Sequence, residues 1–309
     1  MICTAVLLIA AAFLLPVFLV YIICFYSPLG DQNNELRLPT GEQYESRRGQ
    51  MTQMIRELMA RPCEKVYITS KDGLRLAAKY YPGREGAPAA ICFHGYRATA
   101  RRDFSGGASD LIGRGYHVFL VDERAQGESG GHTMTFGIRE RYDCLDWVEY
   151  VSGRLGKDVP ITLHGISMGA ATVLMAAGLS LPENVRAVVA DSPYSAPMDI
   201  ILKVSADRGL PAAVARPLVT AAASLFGRFD VTAVTAADAV RSAGIPILLI
   251  HGEDDRYVPC EMSRAIAEAN PQRVRRFTFP GAGHGISYLV DKKRYQELVD
   301  AFLRESVPE

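Results

Sequence analysis

Val159-Pro160-Ile161-Thr162-Leu163-His164-Gly165-Ile166-Ser167-Met168-Gly169-Ala170-Ala171-Thr172-Val173-Leu174-Met175-Ala176-Ala177 is the stretch that decides how this chain is read. An apolar, strand-like run leads into Gly-Ile-Ser-Met-Gly, and a small-residue helical stretch follows. Strand, sharp turn and helix is the context in which G-x-S-x-G holds out a serine as a nucleophile. Gly165 and Gly169 leave room for the strand and the helix to pass close to their neighbours. A serine hydroxyl alone is a poor nucleophile, so a base must take its proton.

Working outward, further short apolar runs recur on both sides of this turn. Val66–Thr69 and Leu74–Tyr81 read as a hairpin around Lys71-Asp72-Gly73. Runs then follow at Ala89–Phe93, Tyr116–Val121, Ile161–Leu163, Val185–Ala190, Ile245–Ile250 and Arg275–Phe279. Most are uniformly apolar, as strands buried on both faces are. Helical patterns lie between them, near 103–113, 137–153, 168–179, 260–269 and 290–305. The alternation predicts an α/β fold, a mostly parallel sheet with helices on both faces and an antiparallel hairpin at one edge. Residues 192–243 exceed a simple crossover. They read as a short helical insertion over the carboxyl ends of the strands.

Acidic and histidine candidates follow Ser167 in chain order. Ile250-His251-Gly252-Glu253-Asp254-Asp255-Arg256-Tyr257-Val258-Pro259 leaves the end of one strand. Pro280-Gly281-Ala282-Gly283-His284-Gly285 leaves the end of the last. Ligands of open α/β sheets bind at such carboxyl ends. Glu253, Asp254 and Asp255 all stand as candidate acids.

With His94-Gly95-Tyr96 and Asp122-Glu123-Arg124-Ala125-Gln126-Gly127-Glu128-Ser129, five motifs stand in one order. Over residues 64 to 305 the chain resembles the α/β-hydrolase superfamily, and more closely the bacterial membrane-anchored hydrolases of its serine-aminopeptidase-like branch. That resemblance implies Ser167 as nucleophile, His284 as general base and Asp255, three residues before Val258-Pro259, as orienting acid. It implies backbone N–H donors of Tyr96 and Met168 as the oxyanion hole. His94, Gly95, Arg97, Tyr194, Tyr257 and Val258 are candidates to line the substrate pocket. The Asp122–Ser129 loop departs from the family pattern at Ala125, where glycine is usual. Its expected role is to brace the loops beside the site.

The chain has 309 residues, of which 49% are hydrophobic, enough for a sizeable core. Lys and Arg number 34, as do Asp and Glu, so charge gives no argument for nucleic acid or a polyanionic substrate. Six cysteines show no C-x-x-C spacing, and no H-E-x-x-H pairing of histidines occurs, so neither a metal nor a disulfide framework is signalled.

No charged side chain occurs from Ile2 to Tyr26. That run can cross a hydrocarbon core of about 30 Å. It is long for a signal peptide and no basic residue precedes it. The expected organisation is a transmembrane anchor over 1–27, a partly helical linker over 28–63 and a catalytic domain over 64–309. Within the linker, Gln43–Ala60 has the spacing of an amphipathic helix. Arg37, Arg47 and Arg48 follow the anchor, and by the positive-inside rule they place the catalytic domain in the cytoplasm.

The expected function is cofactor-free acyl transfer by a serine hydrolase acting on a small acyl ester, a carboxylesterase. Leu202, Leu210, Leu218, Leu225 and Phe226 of the insertion are expected to make an apolar acyl pocket for short-to-medium chains. Acyl-thioesterase or lipase activity at the membrane shares the same architecture. An aminopeptidase would need an acidic group, such as Glu253, Asp254 or Glu128, for the substrate amine. A non-enzymatic membrane-tethered scaffold is the reading from another class.

Overall fold

Residues 14–27 and 34–307 are described in the computed structural model. Eight strands are present: β1 (Glu64–Thr69), β2 (Arg75–Tyr81), β3 (Ala89–Phe93), β4 (His117–Asp122), β5 (Ile161–Ile166), β6 (Val185–Asp191), β7 (Ile247–Gly252) and β8 (Val274–Phe279). They form one sheet in the order β1-β2-β4-β3-β5-β6-β7-β8. β2 is antiparallel to both β1 and β4, and every other pairing is parallel.

The near-continuous apolar strands follow from burial on both faces. Side chains alternate across a strand, so Ile91 and Phe93 enter one core while Ala90 and Cys92 enter the other. The helices Glu140–Leu155 and Met168–Ala177 cover the first face, with Trp147 fully buried. The helices Ala100–Gly113 and Lys292–Ser306 cover the second. The parallel strands β5, β6 and β7 end at one edge, beside the loops that carry Ser167, Ser192 and Asp255.

The N-terminal segment behaves differently from the expected anchor. No helix among the described residues is long and apolar enough to cross a membrane. The expected span begins in residues 1–13, which lie outside the described residues. Residues 14–24 are helical and dock on the main domain. The stripe Val17, Tyr21, Phe25 has four-residue spacing and is buried. Phe25 meets the ring edges of Phe136 and Phe229 at 5.8 and 5.2 Å between centroids. Tyr21 Oη lies 2.8 Å from Thr133 Oγ1. Leu15, Leu19 and Ile23, on the other side, remain exposed.

Two helices, Glu42–Glu45 and Arg48–Met59, replace the single one expected over 43–60. Met51, Ile55 and Leu58 are buried among side chains of the Ala100–Gly113 helix. The insertion forms helices Pro197–Asp207, Ala212–Ala222 and Ala236–Arg241, with a wide turn at Ala223–Gly227. Leu202 is buried in the core, Leu225 is exposed, and Phe226 packs against Phe18 and Tyr21.

Candidate active site

Ser167 stands between β5 and the helix Met168–Ala177 with φ 56°, a left-handed conformation rare for a residue with a side chain. The neighbours over-determine it. Its N–H donates to the Asp191 carbonyl of β6 at 2.9 Å. A Cβ on Gly169 would lie 1.9 Å from the Phe93 carbonyl oxygen, and one on Gly165 would lie 2.3 Å from that of Gly169. Only glycine lets β3, β5 and the helix approach this closely, and that approach forces the serine outward.

The loop after β8 brings His284 Nε2 to 2.9 Å from Ser167 Oγ. On the other side of the ring, His284 Nδ1 lies 2.7 Å from Asp255 Oδ2. Asp255 is buried and fully partnered. Its Oδ1 accepts from the N–H groups of Tyr257 and Val258 at 2.9 and 2.8 Å. Burial opposes its charge, but His284, His251 and these N–H groups prevail and hold the carboxyl well below the usual carboxylate range. An ionised Asp255 has no proton to give, so Nδ1 of His284 carries one and Nε2 is free to accept from the Ser167 hydroxyl. The other two candidate acids stand apart, for Glu253 and Asp254 are exposed and Glu253 is held by the Thr278 hydroxyl at 2.6 Å.

Met168 is the first residue of its helix, where N–H groups have no acceptor within the helix. Opposite lies the loop after β3. The Gly95 N–H donates to Asp103 Oδ2 at 2.8 Å, and a Cβ on Gly95 would stand 3.3 Å from Ser167 Cβ. Arg97 adopts φ 49°. The Tyr96 hydroxyl donates to the Ile23 and Cys24 carbonyls at 3.1 and 3.0 Å. Arg97 Nη2 donates to the Ile23 and Tyr26 carbonyls at 3.1 and 2.9 Å. Two consecutive residues of this loop thus cap the carboxyl end of the docked N-terminal helix, where a cation also suits the helix dipole.

Ser167 and His284 open on a cavity of about 390 Å³. Gly95, Tyr96, Arg97 and Tyr257 line it. His94, Tyr194 and Val258 lie behind the wall: His94 Nε2 accepts the Glu123 N–H at 3.2 Å, and the Tyr194 hydroxyl donates to the Phe136 carbonyl at 3.0 Å. None of the five apolar insertion residues expected to make an acyl pocket lines the cavity. It runs instead beneath the Ala100–Gly113 helix, walled by Met51, Met54, Phe104 and Val299, with His164 and Asp191 from the sheet. Of those five, Leu202, Leu210, Leu218 and Phe226 are taken up by the core and the N-terminal helix, and Leu225 is exposed. Among the described residues, no group of three or more His, Cys, Asp or Glu side chains could hold a metal ion.

Ala125 sits at φ 62°, the left-handed conformation that explains glycine as the usual residue there. Arg124 beside it is buried and bonds Asp143 and Asp72, tying the loop to the Glu140–Leu155 helix and the β1–β2 turn. Three residues that no sequence motif singled out stand around His284 and Asp255. His251 Nε2 lies 3.3 Å from Asp255 Oδ2 and 2.9 Å from the Val258 carbonyl. Gln43 and Tyr44 hold the main chain of His284. For His251 the signal was its place four residues before Asp255 at a strand end. For Gln43 and Tyr44 there was none, since they touch a residue about 240 positions away.

The model of the alpha/beta hydrolase family matches residues 90–301. The chain belongs to the alpha/beta hydrolase family. An uncharacterized protein of Bacillus subtilis, YqkD, is 26% identical over 190 residues, covering 61% of this chain and 62% of the relative. The human protein ABHD12B is 29% identical over 214 residues, covering 64% of this chain and 55% of its own length. The chain therefore spans less than two thirds of the length of each of these relatives. Among solved structures, the Pyrococcus furiosus esterase PF2001 is similar in fold, with a TM-score of 0.65 and 24% identity over 81% of this hydrolase and 93% of the esterase. Est1E of Butyrivibrio proteoclasticus, solved with ferulic acid bound, has a TM-score of 0.60 at 21% identity, covering 79% of this chain and all of that one.

Proposed function

We propose that this hydrolase is a serine carboxylesterase working through Ser167, His284 and Asp255. One observation carries the reading: the unbroken hydrogen-bonded line from Ser167 Oγ through both nitrogens of His284 to a buried, ionised Asp255. Ser167 Oγ attacks the ester carbonyl carbon while His284 Nε2 takes its proton. The developing oxyanion is met by the Met168 and Tyr96 N–H groups, each worth about 3 kcal/mol at the transition state. His284 returns the proton to the departing alkoxide, leaving an acyl-enzyme. Water then attacks the acyl carbon, gives its proton to His284 and releases the acid, and the proton goes back to Ser167. Asp255 stabilises the imidazolium in both halves. No cofactor enters these steps.

A cavity of this size suits a small ester with a short-to-medium acyl chain. Thioesters would be cleaved by the same steps. Peptide amines find less support, because Glu128 is engaged by Lys65 and Tyr67, and Glu253 and Asp254 are exposed. The reading includes the serine-aminopeptidase-like branch as ancestry and a membrane as workplace. The charge-free run from Ile2 to Tyr26 and the exposed row Leu15, Leu19, Ile23 support the latter. The basic residues that follow favour the cytoplasmic side.

The deciding experiment is fluorophosphonate labelling of the purified protein beside a panel of esters, thioesters and aminoacyl amides. Label on Ser167, absent from a folded Ser167→Ala variant, with ester turnover fastest, is the expected result. A folded protein that takes no label overturns the serine-hydrolase reading and favours the scaffold.

A further inference from the structure

We propose that Gln43 and Tyr44, which precede the hydrolase region, are positioning residues for the general base. The inference rests on the assignment of His284 as that base. Both polar groups of the His284 main chain are taken by these two neighbours. The His284 N–H donates to Gln43 Oε1 at 3.0 Å, and the Tyr44 hydroxyl donates to the His284 carbonyl at 3.0 Å.

The fit is close. A Cβ on Gly283 would lie 1.6 Å from Gln43 Oε1, so the amide lies directly against the bare backbone of that glycine. The Tyr44 ring is buried, and Arg47 donates to the Leu289 carbonyl in the turn after His284. From the opposite side, the Gly285 N–H donates to Ser192 Oγ at 3.2 Å. The loop is therefore gripped on both faces. Without the Gln43 side of that grip, the His284 main chain itself would have neither hydrogen-bond partner, and the loop would be held by the Gly285–Ser192 bond, the Asp254–Ala282 bond and the imidazole's own bonds, which must change partners during every turnover. A base must keep its nitrogen within hydrogen-bond reach of the serine, and small misplacements there cost rate steeply. The matched hydrolase region begins at residue 90, so the grip is supplied from outside it.

The test compares full-length Gln43→Met, Gln43→Glu and Tyr44→Phe with the parent protein on a soluble short-chain ester. Gln43→Met keeps the chain length and removes the acceptor oxygen. Gln43→Glu keeps an acceptor. We expect kcat to fall roughly 10- to 100-fold in Gln43→Met and about 10-fold in Tyr44→Phe, with KM within twofold, and Gln43→Glu to recover most of the loss. Fluorophosphonate labelling should slow in parallel while the melting temperature stays within a few degrees. Unchanged kcat in folded Gln43→Met and Tyr44→Phe overturns the proposal, as does a loss confined to KM. If Gln43→Met does not fold, Tyr44→Phe, which loses only a hydroxyl, decides alone. His284→Ala is run alongside: if it retains full rate, the assignment of the base fails instead.

Discussion

His251 Nε2 lies 3.3 Å from Asp255 Oδ2, the same oxygen that His284 Nδ1 reaches at 2.7 Å. Two imidazoles and two backbone N–H groups converge on one buried carboxylate. Two of the three residues that carry the contact, His251 and Asp255, leave the end of β7. The carboxylate is thereby fixed in place and in charge. Its folded pKa is depressed, so its contribution to stability is complete above the ordinary carboxylate range and is lost only as pH falls below it.

Asp255→Asn is expected to lower kcat by on the order of 10⁴, because an amide can stabilise neither the needed tautomer nor the imidazolium. Asp254→Asn, one residue away and exposed, should stay within about twofold of the parent, as surface substitutions do. Steady-state kinetics of the pair distinguishes them. Equal losses would remove Asp255 from its role.

The elbow should fail sterically. Gly169→Ala would drive a methyl into the Phe93 carbonyl, where the gap is 1.9 Å and the obstacle is backbone. A loss of about 3 kcal/mol or more in denaturant unfolding is expected, with no detectable turnover. Gly107→Ala, whose Cβ meets nothing within 4 Å, is the control and should be neutral or slightly stabilising.

Asp191 gives a pH signature. Burial pushes its carboxyl up to about 6, against the pull of the Ser192 hydroxyl and His251. A carboxyl whose folded pKa is raised costs nothing while protonated, below about pH 4. The cost of ionising it grows as pH rises to about 6 and is complete above that. Asp191→Asn should therefore be more stable than the parent at pH 8, by on the order of 1–3 kcal/mol, and equal to it near pH 3.5. Chemical unfolding at the two pH values measures the difference. A gap that does not close at acid pH would show that ionisation is not the cause.

Membrane work can be separated from fold. Leu15, Leu19 and Ile23 are 60%, 50% and 64% exposed, and the contacts of Ile23 with Tyr96 and Arg97 run through its main-chain carbonyl, which a side-chain substitution keeps. Replacing all three with glutamate should leave the rate on a soluble ester within about twofold, since exposed substitutions change little. Co-sedimentation with phosphatidylglycerol–phosphatidylcholine vesicles should fall at least tenfold. Undiminished vesicle binding would mean that this row is not the contact.

The strand runs, the turn at Ser167 and the strand ends that carry the acidic candidates and His284 were legible because each is local, whereas Asp255 was set apart from Glu253 and Asp254 only by the family resemblance. Ala125 was legible as a departure, and its left-handed backbone explains the glycine it replaces. The wall of the cavity was not. Met51 and Met54 fall within the amphipathic spacing of Gln43–Ala60, and that spacing cannot say that the Ala100–Gly113 helix leaves a space beside them. The insertion's leucines misled for the converse reason: an apolar side chain reads the same whether a core or a substrate covers it. The run from Ile2 to Tyr26 read as one span, yet the spacing of Val17, Tyr21 and Phe25 already held the stripe by which its second half docks on the domain.

The methionines of that wall carry a consequence for how such an enzyme can change. They come from a helix outside the matched hydrolase region, while the reacting groups all lie within it. Unbranched thioether side chains reshape themselves around different guests at little cost. Under the proposed reading, part of the wall that would meet the acyl group therefore sits on a separate stretch of sequence from the reacting groups. Mutation can retune which acyl group is admitted by altering residues 48–59 and leave the reaction untouched, so related chains could diverge in diet while sharing one catalytic engine.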